Sequence, residues 1–420
     1  MKNNRRRLTA VAVAGIASLV LGACSQGSAT SKDDDTSDGQ TTITYMEFSS
    51  NGGHEQDLAA IVDAFEAEHP DIKVEVETTP YDSYFTKLQT ALAGGTAGDT
   101  FELNYENFVT YAENGSLAEL GSFDAAAYKP SLLEAFAQDG TQYALPESFS
   151  DVVLFYNKDL FDKAGLETPT SDWTWEDEAA AAEKLTDKDA GIWGDYQPVQ
   201  FFEFYKALAQ SGGSFFNEDG TEATFDSPEG VAAAEWLVGK PGKTMPTEAE
   251  GAGTPDFDTN LFRDGKLAMW HSGIWMFAGL ADVPFEWDIA VEPGNTQQAS
   301  AMFANGVAVN AASENKEAAE EWLSFLTSSK VMADTRLSTS WELPPVADES
   351  LLAPYLEQDK PANRAAVMES LESVALPPVI ARQAEMQDAI TKELGEAAAG
   401  RKSVEDALAD AKKTVDGLLG

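Results

Sequence analysis

From Thr42 to Asn104 the hydrophobic period changes four times, and that alternation leaves very few architectures open to the chain. Thr42-Ile43-Thr44-Tyr45-Met46 repeats every second residue, as a strand with one buried face does. Leu58, Ile61, Val62 and Phe65 recur at helical spacing, and Pro70 ends that run. Ile72, Val74 and Val76 alternate again. Tyr84, Phe85, Leu88 and Leu92 restore the helical period up to Gly94-Gly95, and Phe101-Glu102-Leu103-Asn104 is a short third strand. Strand, helix, strand, helix, strand predicts an α/β layer with a largely parallel sheet. Ligands of such sheets sit beyond the carboxyl ends of the strands. Here those ends are Phe48-Ser49-Ser50-Asn51 and Asn104-Tyr105-Glu106.

The same layer type continues downstream. Val152-Val153-Leu154-Phe155-Tyr156 is a continuous apolar run, suited to a strand buried on both faces. Helical spacing predicts helices over 174–185, 198–210 and 227–238, and short strands fall near Leu267-Ala268-Met269, Ile289-Ala290-Val291 and Val307-Ala308-Val309. The last hundred residues read as helices at 313–327, 382–398 and 403–418, interrupted by Pro344-Pro345 and Pro377-Pro378.

The amino terminus follows another logic. Arg5, Arg6 and Arg7 precede an apolar run from Leu8 to Leu21, and Leu21-Gly22-Ala23-Cys24 supplies small residues at a cleavage site. This is the pattern of a secretory signal over residues 1–23, too short for a comfortable transmembrane helix. The stretch ending in Cys24 resembles a bacterial lipobox, which implies lipidation of Cys24 and a tether to the outer face of the membrane. An ordinary signal peptide with an incidental cysteine is the alternative. Residues 24–40 carry no large apolar side chain and are expected to be a flexible linker.

Charge and motifs then exclude several function classes. The chain has 71 acidic against 28 basic residues, a net charge of −43. That balance argues against nucleic acid and against docking on anionic lipid through basic patches. A single cysteine permits no intramolecular disulfide and no thiolate cluster. The three histidines, His54, His69 and His271, are scattered, so neither a metal nor a cofactor is expected. There is no nucleophile elbow, His54-Glu55 is followed by Leu58 where a metalloprotease needs histidine, and Gly94-Gly95-Thr96-Ala97-Gly98 lacks a phosphate-loop lysine.

Several stretches together resemble the family 1 extracellular solute-binding proteins of bacterial ABC importers, the carbohydrate group that includes maltose-binding protein. They are Phe65 to Val74, Tyr81 to Leu92, Leu154 to Phe161, Trp173-Thr174-Trp175-Glu176, Phe262 to Met269 and Gly400 to Leu408. Their order and spacing cover residues 41–420. The resemblance implies an α/β, two-lobed periplasmic-binding-protein-like fold with a hinge and an inter-lobe cleft. It places crossings near Pro146–Asp151, Asn305–Asn310 and Trp341–Pro345. One lobe is then 41–149 with 310–342, the other 150–309 with 343–420. The implied protein is no enzyme. It is a monomer that captures a carbohydrate, with an oligosaccharide expected, and hands it to ABC permease subunits. A surface lipoprotein for a non-sugar solute or polymer is a second reading. A glycoside hydrolase is a third, since 71 acids leave room for a carboxylate pair.

A pyranose offers apolar C–H faces and a rim of hydroxyls, so its site needs flat aromatics plus short groups that donate and accept. Trp275 follows a predicted strand where the resembling family has a stacking aromatic, with His271 just before it. Trp341 and Glu342 fall at the third crossing, Glu147 at the first, and Asn305-Gly306 at the second, where glycine allows close backbone approach. Asn51 with Ser49, Ser50 and His54, and Asn104 with Tyr105, form the loops after the first and third strands. Many relatives have a tryptophan in that first loop; Phe48 and small polar residues stand here instead. Tyr196 and Phe201 could extend a second-lobe aromatic wall, while Arg382 reads as surface.

Overall fold

The structure is a computed structural model, and it describes residues 40–419 except Gly52 and Pro255. Cys24 and the signal and linker expectations lie outside the described residues. The strands are β1 (Thr41–Glu47), β2 (Ile72–Thr78), β3 (Thr100–Asn104), β4 (Ala137–Gln138), β5 (Thr141–Gln142), β6 (Ala144–Asn157), β7 (Met269–Gly273), β8 (Trp287–Ala290), β9 (Ser300–Val309) and β10 (Val374–Ala375). β4 and β5 make a small hairpin, and the others form one sheet in the order β2-β1-β3-β9-β6-β7, with β8 added on β6 and β10 on β9.

The parallel expectation holds only at one end. β1 runs parallel to β2 and β3, with Thr41 opposite Ile72 and Tyr45 opposite Thr100. β9 then pairs antiparallel with β3 and with β6, and β6 pairs antiparallel with β7 and β8. The sheet is therefore mixed, because two long strands return across the hinge rather than wind in one direction. The fourteen residues of β6 are all buried. Its first half, Ala144–Asp151, pairs with β9, and its second half, Val152–Asn157, with β7 and β8. A register shift falls between Pro146 and Ser148, so Glu147 sits at a bulge that re-aims its side chain. Asn305–Val309 pair with β3 of the first lobe. β9 therefore pairs with β3 from Asn305 onward, ahead of the boundary expected at 309/310.

Local signals place the binding loops. The helix Glu55–Glu68 buries Leu58, Ile61, Val62 and Phe65, which fixes the loop 48–54 at the end of β1. Asn104 ends β3 and caps the helix Tyr105–Glu113 by accepting from the Asn107 N–H at 3.3 Å. In the second lobe, Thr174 and Asp177 form a reciprocal capping box on the helix Trp175–Leu185. Apolar clusters flank the sheet in each lobe, one around Phe65 and Trp322, another around Phe204 and Phe225.

Candidate functional site

The first-lobe wall of the cleft is built from the residues after β1, β2 and β3. Tyr81 is half exposed, and it stands edge-on against Phe48 with ring centroids 5.1 Å apart and against Phe85 at 5.8 Å. Asn104 Nδ2 donates to the Tyr81 hydroxyl at 3.0 Å. Asn104 is thus partly committed, as a cap and as a strut for Tyr81. Tyr105 is half-buried with its ring 6.4 Å from Phe136. Asn51 is exposed on the turn that its N–H closes onto the Phe48 carbonyl. Glu106 is buried, with Oε2 meeting no partner, and burial pushes its carboxyl up to about 7.

The second-lobe wall is aromatic. The Trp275 indole folds over Gly273; a Cβ there would stand 1.8 Å from the ring, so only glycine allows it. Trp275 meets Phe303 edge-on at 5.7 Å, and Phe303 meets Phe202 the same way at 5.7 Å. All three rings are partly buried, as is Tyr196 beside Phe257. Phe201, by contrast, is turned into the core against Tyr205 and Phe215.

One hydrogen bond and one electrostatic influence link the two sides. Thr110 Oγ1, on the first-lobe helix Tyr105–Glu113, donates to the Ala381 carbonyl at 3.0 Å. Tyr205, on the second-lobe helix Phe201–Gln210, is buried with its hydroxyl unpartnered. Burial raises that phenol, and the charges of Glu106, Glu203 and Tyr81 raise it further, which puts the first-lobe Glu106 and Tyr81 within electrostatic reach.

The residues expected at the three crossings come together on one another, so their polar groups are committed within the protein. Arg336 Nη2 donates to Glu147 Oε1 at 2.6 Å, and Nη1 lies 3.6 Å from Glu342 Oε2. The Tyr45 hydroxyl donates to Glu147 Oε2 at 3.2 Å. Ser148 Oγ reaches Glu342 Oε2 at 2.5 Å, and Asn305 Nδ2 reaches both Ser148 and Glu342 at 3.3 Å. Trp341 is 1% exposed. One of its faces stacks on His54 at 5.0 Å, the Arg336 guanidinium lies 4.1 Å from its centroid, and its N–H donates to the Ser49 carbonyl at 3.1 Å. No ring face is left for a sugar. Gly306 also serves packing, since a Cβ there would stand 2.8 Å from the Phe136 ring. Burial pushes the Glu147 carboxyl up to about 7; Arg336 works against that shift, and Glu342 and Glu47 add to it.

His271 is committed within the protein as well. It is buried below the second-lobe wall with both ring nitrogens facing carboxylates, so it has no atom left for a ligand. Donor atoms of Glu178, Asp195 and His271 lie within 4.8 Å of one another, a grouping that could suggest a metal. The Lys240 ammonium already occupies that acidic pocket, 2.6 Å from Glu178 Oε1 and 2.6 Å from Asp195 Oδ2. The residues therefore do not fit a divalent cation.

Sequence reasoning missed Tyr81, Tyr205, Phe303 and Arg336. Tyr81 had a usable signal: Pro80-Tyr81 follows β2 directly, at the same strand end that drew attention to β1 and β3. Arg336 had none, because only the tertiary fold brings it to Glu147 across 189 residues.

Two α/β lobes joined by long crossing strands, with partly exposed aromatic rings on each, suit a binding protein of the two-lobed class. Comparison with known proteins then fixes the group. Residues 51–333 match the model of the bacterial extracellular solute-binding protein family, and the chain belongs to that family. An ABC substrate-binding protein from Listeria monocytogenes, solved in complex with cycloalternan, is 46% identical with a TM-score of 0.86, over 90% of this chain and 98% of that one. The cyclic α-maltosyl-1,6-maltose-binding protein of Arthrobacter globiformis is 25% identical with a TM-score of 0.72, over 91% and 99% of the two chains. The maltodextrin-binding protein MdxE of Bacillus subtilis is 23% identical over 416 residues, 97% of this chain and 96% of the relative. The family and these relatives are binding proteins, not enzymes.

Proposed function

We propose that the chain captures a glucose-based oligosaccharide in the inter-lobe cleft, with a cyclic one of the cycloalternan kind as its ligand. The observation that carries the reading is the pair of facing walls. Partly exposed Tyr81 and Tyr105 stand on one lobe, and the Trp275–Phe303–Phe202 edge-to-face series on the other. Flat rings on both sides suit the apolar faces of several pyranoses at once. The buried, unpartnered Glu106 Oε2 and Tyr205 hydroxyl supply acceptor and donor for the rim. The 46% identity to the cycloalternan complex supports the cyclic class. Trp275 stacks on a sugar face, Tyr81 opposes it, and Asn51, Asn104 and Tyr105 bond hydroxyls. Glu147, Asn305, Glu342 and Trp341 act through the hinge.

In this reading one lobe is 41–149 with 305–342, the other 150–304 with 343–420. Cys24 carries a lipid that holds the protein at the outer face of the cell membrane, and the closed form delivers its cargo to ABC permease subunits. Titration calorimetry against cycloalternan, cyclic maltosyl-maltose and linear maltotetraose tests the ligand class. Cycloalternan should bind at least tenfold more tightly than maltotetraose. Equal or tighter binding of the linear sugar overturns the cyclic assignment. Binding of none of the three, with the protein folded, overturns the oligosaccharide reading.

A further inference from the structure

Behind the second-lobe wall, eight buried side chains close a ring of charge. Lys240 Nζ contacts Glu178 Oε1, Asp195 Oδ2 and Gln197 Oε1, each at 2.6 Å. Glu178 Oε1 is 3.0 Å and Asp195 Oδ1 3.3 Å from His271 Nε2. His271 Nδ1 is 3.0 Å from both oxygens of Glu292. Lys206 Nζ bridges Glu292 Oε2 at 2.5 Å and Glu203 Oε2 at 2.7 Å, and Gln197 Nε2 donates to Glu203 Oε2 at 2.6 Å. The last bond returns the circuit to Lys240.

We propose that His271 is held in this ring as an imidazolium, and that in this form it is the positioning residue for the second-lobe sugar-binding wall. A neutral imidazole has one bare lone pair, and here that lone pair would face a carboxylate oxygen at hydrogen-bond distance. Only the doubly protonated ring satisfies Glu292 on one side and Glu178 with Asp195 on the other. The charge count agrees. Glu178, Asp195, Glu203 and Glu292 are four carboxylates against Lys206 and Lys240, and every member is at most 7% exposed. An imidazolium brings the buried imbalance from two charges to one. The protein offsets part of the remainder at Glu203, whose carboxyl is raised by burial with Lys206 opposing. Burial alone would lower the His271 pKa; Glu292, Glu178 and Asp195 outweigh it and hold it well above the ordinary value. Asp151 of β6 is a further buried acid nearby; burial holds its carboxyl well above the ordinary value, and the Glu292 charge raises it further.

The coupling to the wall runs through short covalent links. Tyr196 lies between the ring members Asp195 and Gln197. Its carbonyl accepts from the His271 N–H at 3.0 Å, and its own N–H donates to the Met269 carbonyl at 3.0 Å. Phe202 and Tyr205 share a helix with Glu203 and Lys206. Trp275 follows His271 by four residues, at the end of β7. Loss of the His271 proton leaves carboxylates facing a bare nitrogen and loosens the strand and helix that carry these rings.

The test rests on the oligosaccharide reading only in its affinity arm. First, the three histidines are assigned with His54→Gln and His69→Gln variants, and the ring nitrogens of His271 are followed by NMR from pH 6 to pH 10 without ligand. Two protonated nitrogens at pH 7.5 are expected, with the Trp275 indole N–H resonance moving at the same alkaline midpoint. A neutral His271 at pH 7.5, or a Trp275 signal that ignores its titration, overturns the proposal whatever the ligand is. Second, cycloalternan affinity should fall at least tenfold through that midpoint, and His271→Gln should weaken binding tenfold at pH 7 and flatten the profile. Wild-type affinity and profile in His271→Gln overturn the positioning role. Should that variant fail to fold, the wild-type titration decides alone. Failure of cycloalternan to bind with the NMR result intact removes the ligand assignment and leaves the imidazolium standing.

Discussion

Replacing Arg336 with methionine is the sharpest probe of the hinge. Arg336 is fully buried and, among the described residues, is the only cation paired with Glu147 and Glu342, at 2.6 and 3.6 Å. Its guanidinium also lies 4.1 Å from the Trp341 ring centroid. Removing one partner of a buried ion pair costs about 3–5 kcal/mol, because the other charge is left in a poor dielectric. The lost cation–π contact adds about 1 kcal/mol. Methionine keeps much of the aliphatic packing, so little of the loss is cavity. The pH dependence is the diagnostic part. Glu147 already stands at about 7 with Arg336 pulling it down, so without Arg336 it rises further. Below pH 6 the variant sheds the problem by protonating Glu147; at pH 8 the folded state must either bury an unpaired carboxylate or take up a proton. Proton uptake by Glu147 caps the pH-dependent part of the cost: it should be near zero at pH 5 and reach about 1.4 kcal/mol at pH 8, one unit above the wild-type value of about 7. In a chain of this size that part lowers the thermal midpoint by roughly 2 °C at pH 8. Calorimetry of both proteins at the two pH values is the assay. An equal loss at pH 5 and pH 8, or no loss at either, would refute an electrostatic lock at the hinge.

Trp275→Ala should weaken oligosaccharide binding at least tenfold in titration calorimetry while the thermal midpoint of the free protein moves little, since the ring is only partly buried. Tyr81→Ala should cost affinity by a similar factor, and Tyr81→Phe far less, if the ring face rather than the hydroxyl is what the ligand meets. Gly306→Ala should destabilise by about 1–3 kcal/mol in denaturant titration, because its Cβ would stand 2.8 Å from the buried Phe136 ring. Glu106 has its pKa raised to about 7, so its buried, neutral form is favoured on the acid side and that preference is lost as pH rises through 7. Small-angle scattering of the ligand-free protein should show a more open form at pH 8 than at pH 6, and Glu106→Gln should abolish the difference.

The periodic parts of this fold were legible in the sequence and the convergent parts were not. Leu58, Ile61, Val62 and Phe65 declared their helix because one buried face imposes the 3.6 period. Val152–Tyr156 declared a buried strand, yet nothing local said that β6 would run fourteen residues and serve two lobes. β9 was seen only at its Val307–Val309 end; Ser300–Asn305 mixes small and polar residues, and its strand state comes from neighbours on both sides. The candidate site divided in the same way. The loops at strand ends and Trp275 were legible from topology, whereas the protein partners of His271, Glu147 and Trp341 were not.

That difference in legibility has a physical source. A carboxylate, a histidine or a tryptophan at a crossing can serve a ligand or serve the hinge, and sequence carries no information on which way it points. Here the fold turns them inward and pairs them. Glu147 and Arg336 are 189 positions apart, Ser148 and Glu342 are 194 apart, and Trp341 reaches back 292 positions to Ser49. Each bond ties one crossing segment to another or to the first binding loop. A ligand that moves the loop 48–54 thus pulls on Trp341, and through Arg336 on Glu147 and Glu342, without touching any of them. On the proposed reading, in which this loop meets the sugar, closure needs no separate transmission device. The polar groups that hold the crossings together are bonded to that loop, so binding and bending would share one set of hydrogen bonds.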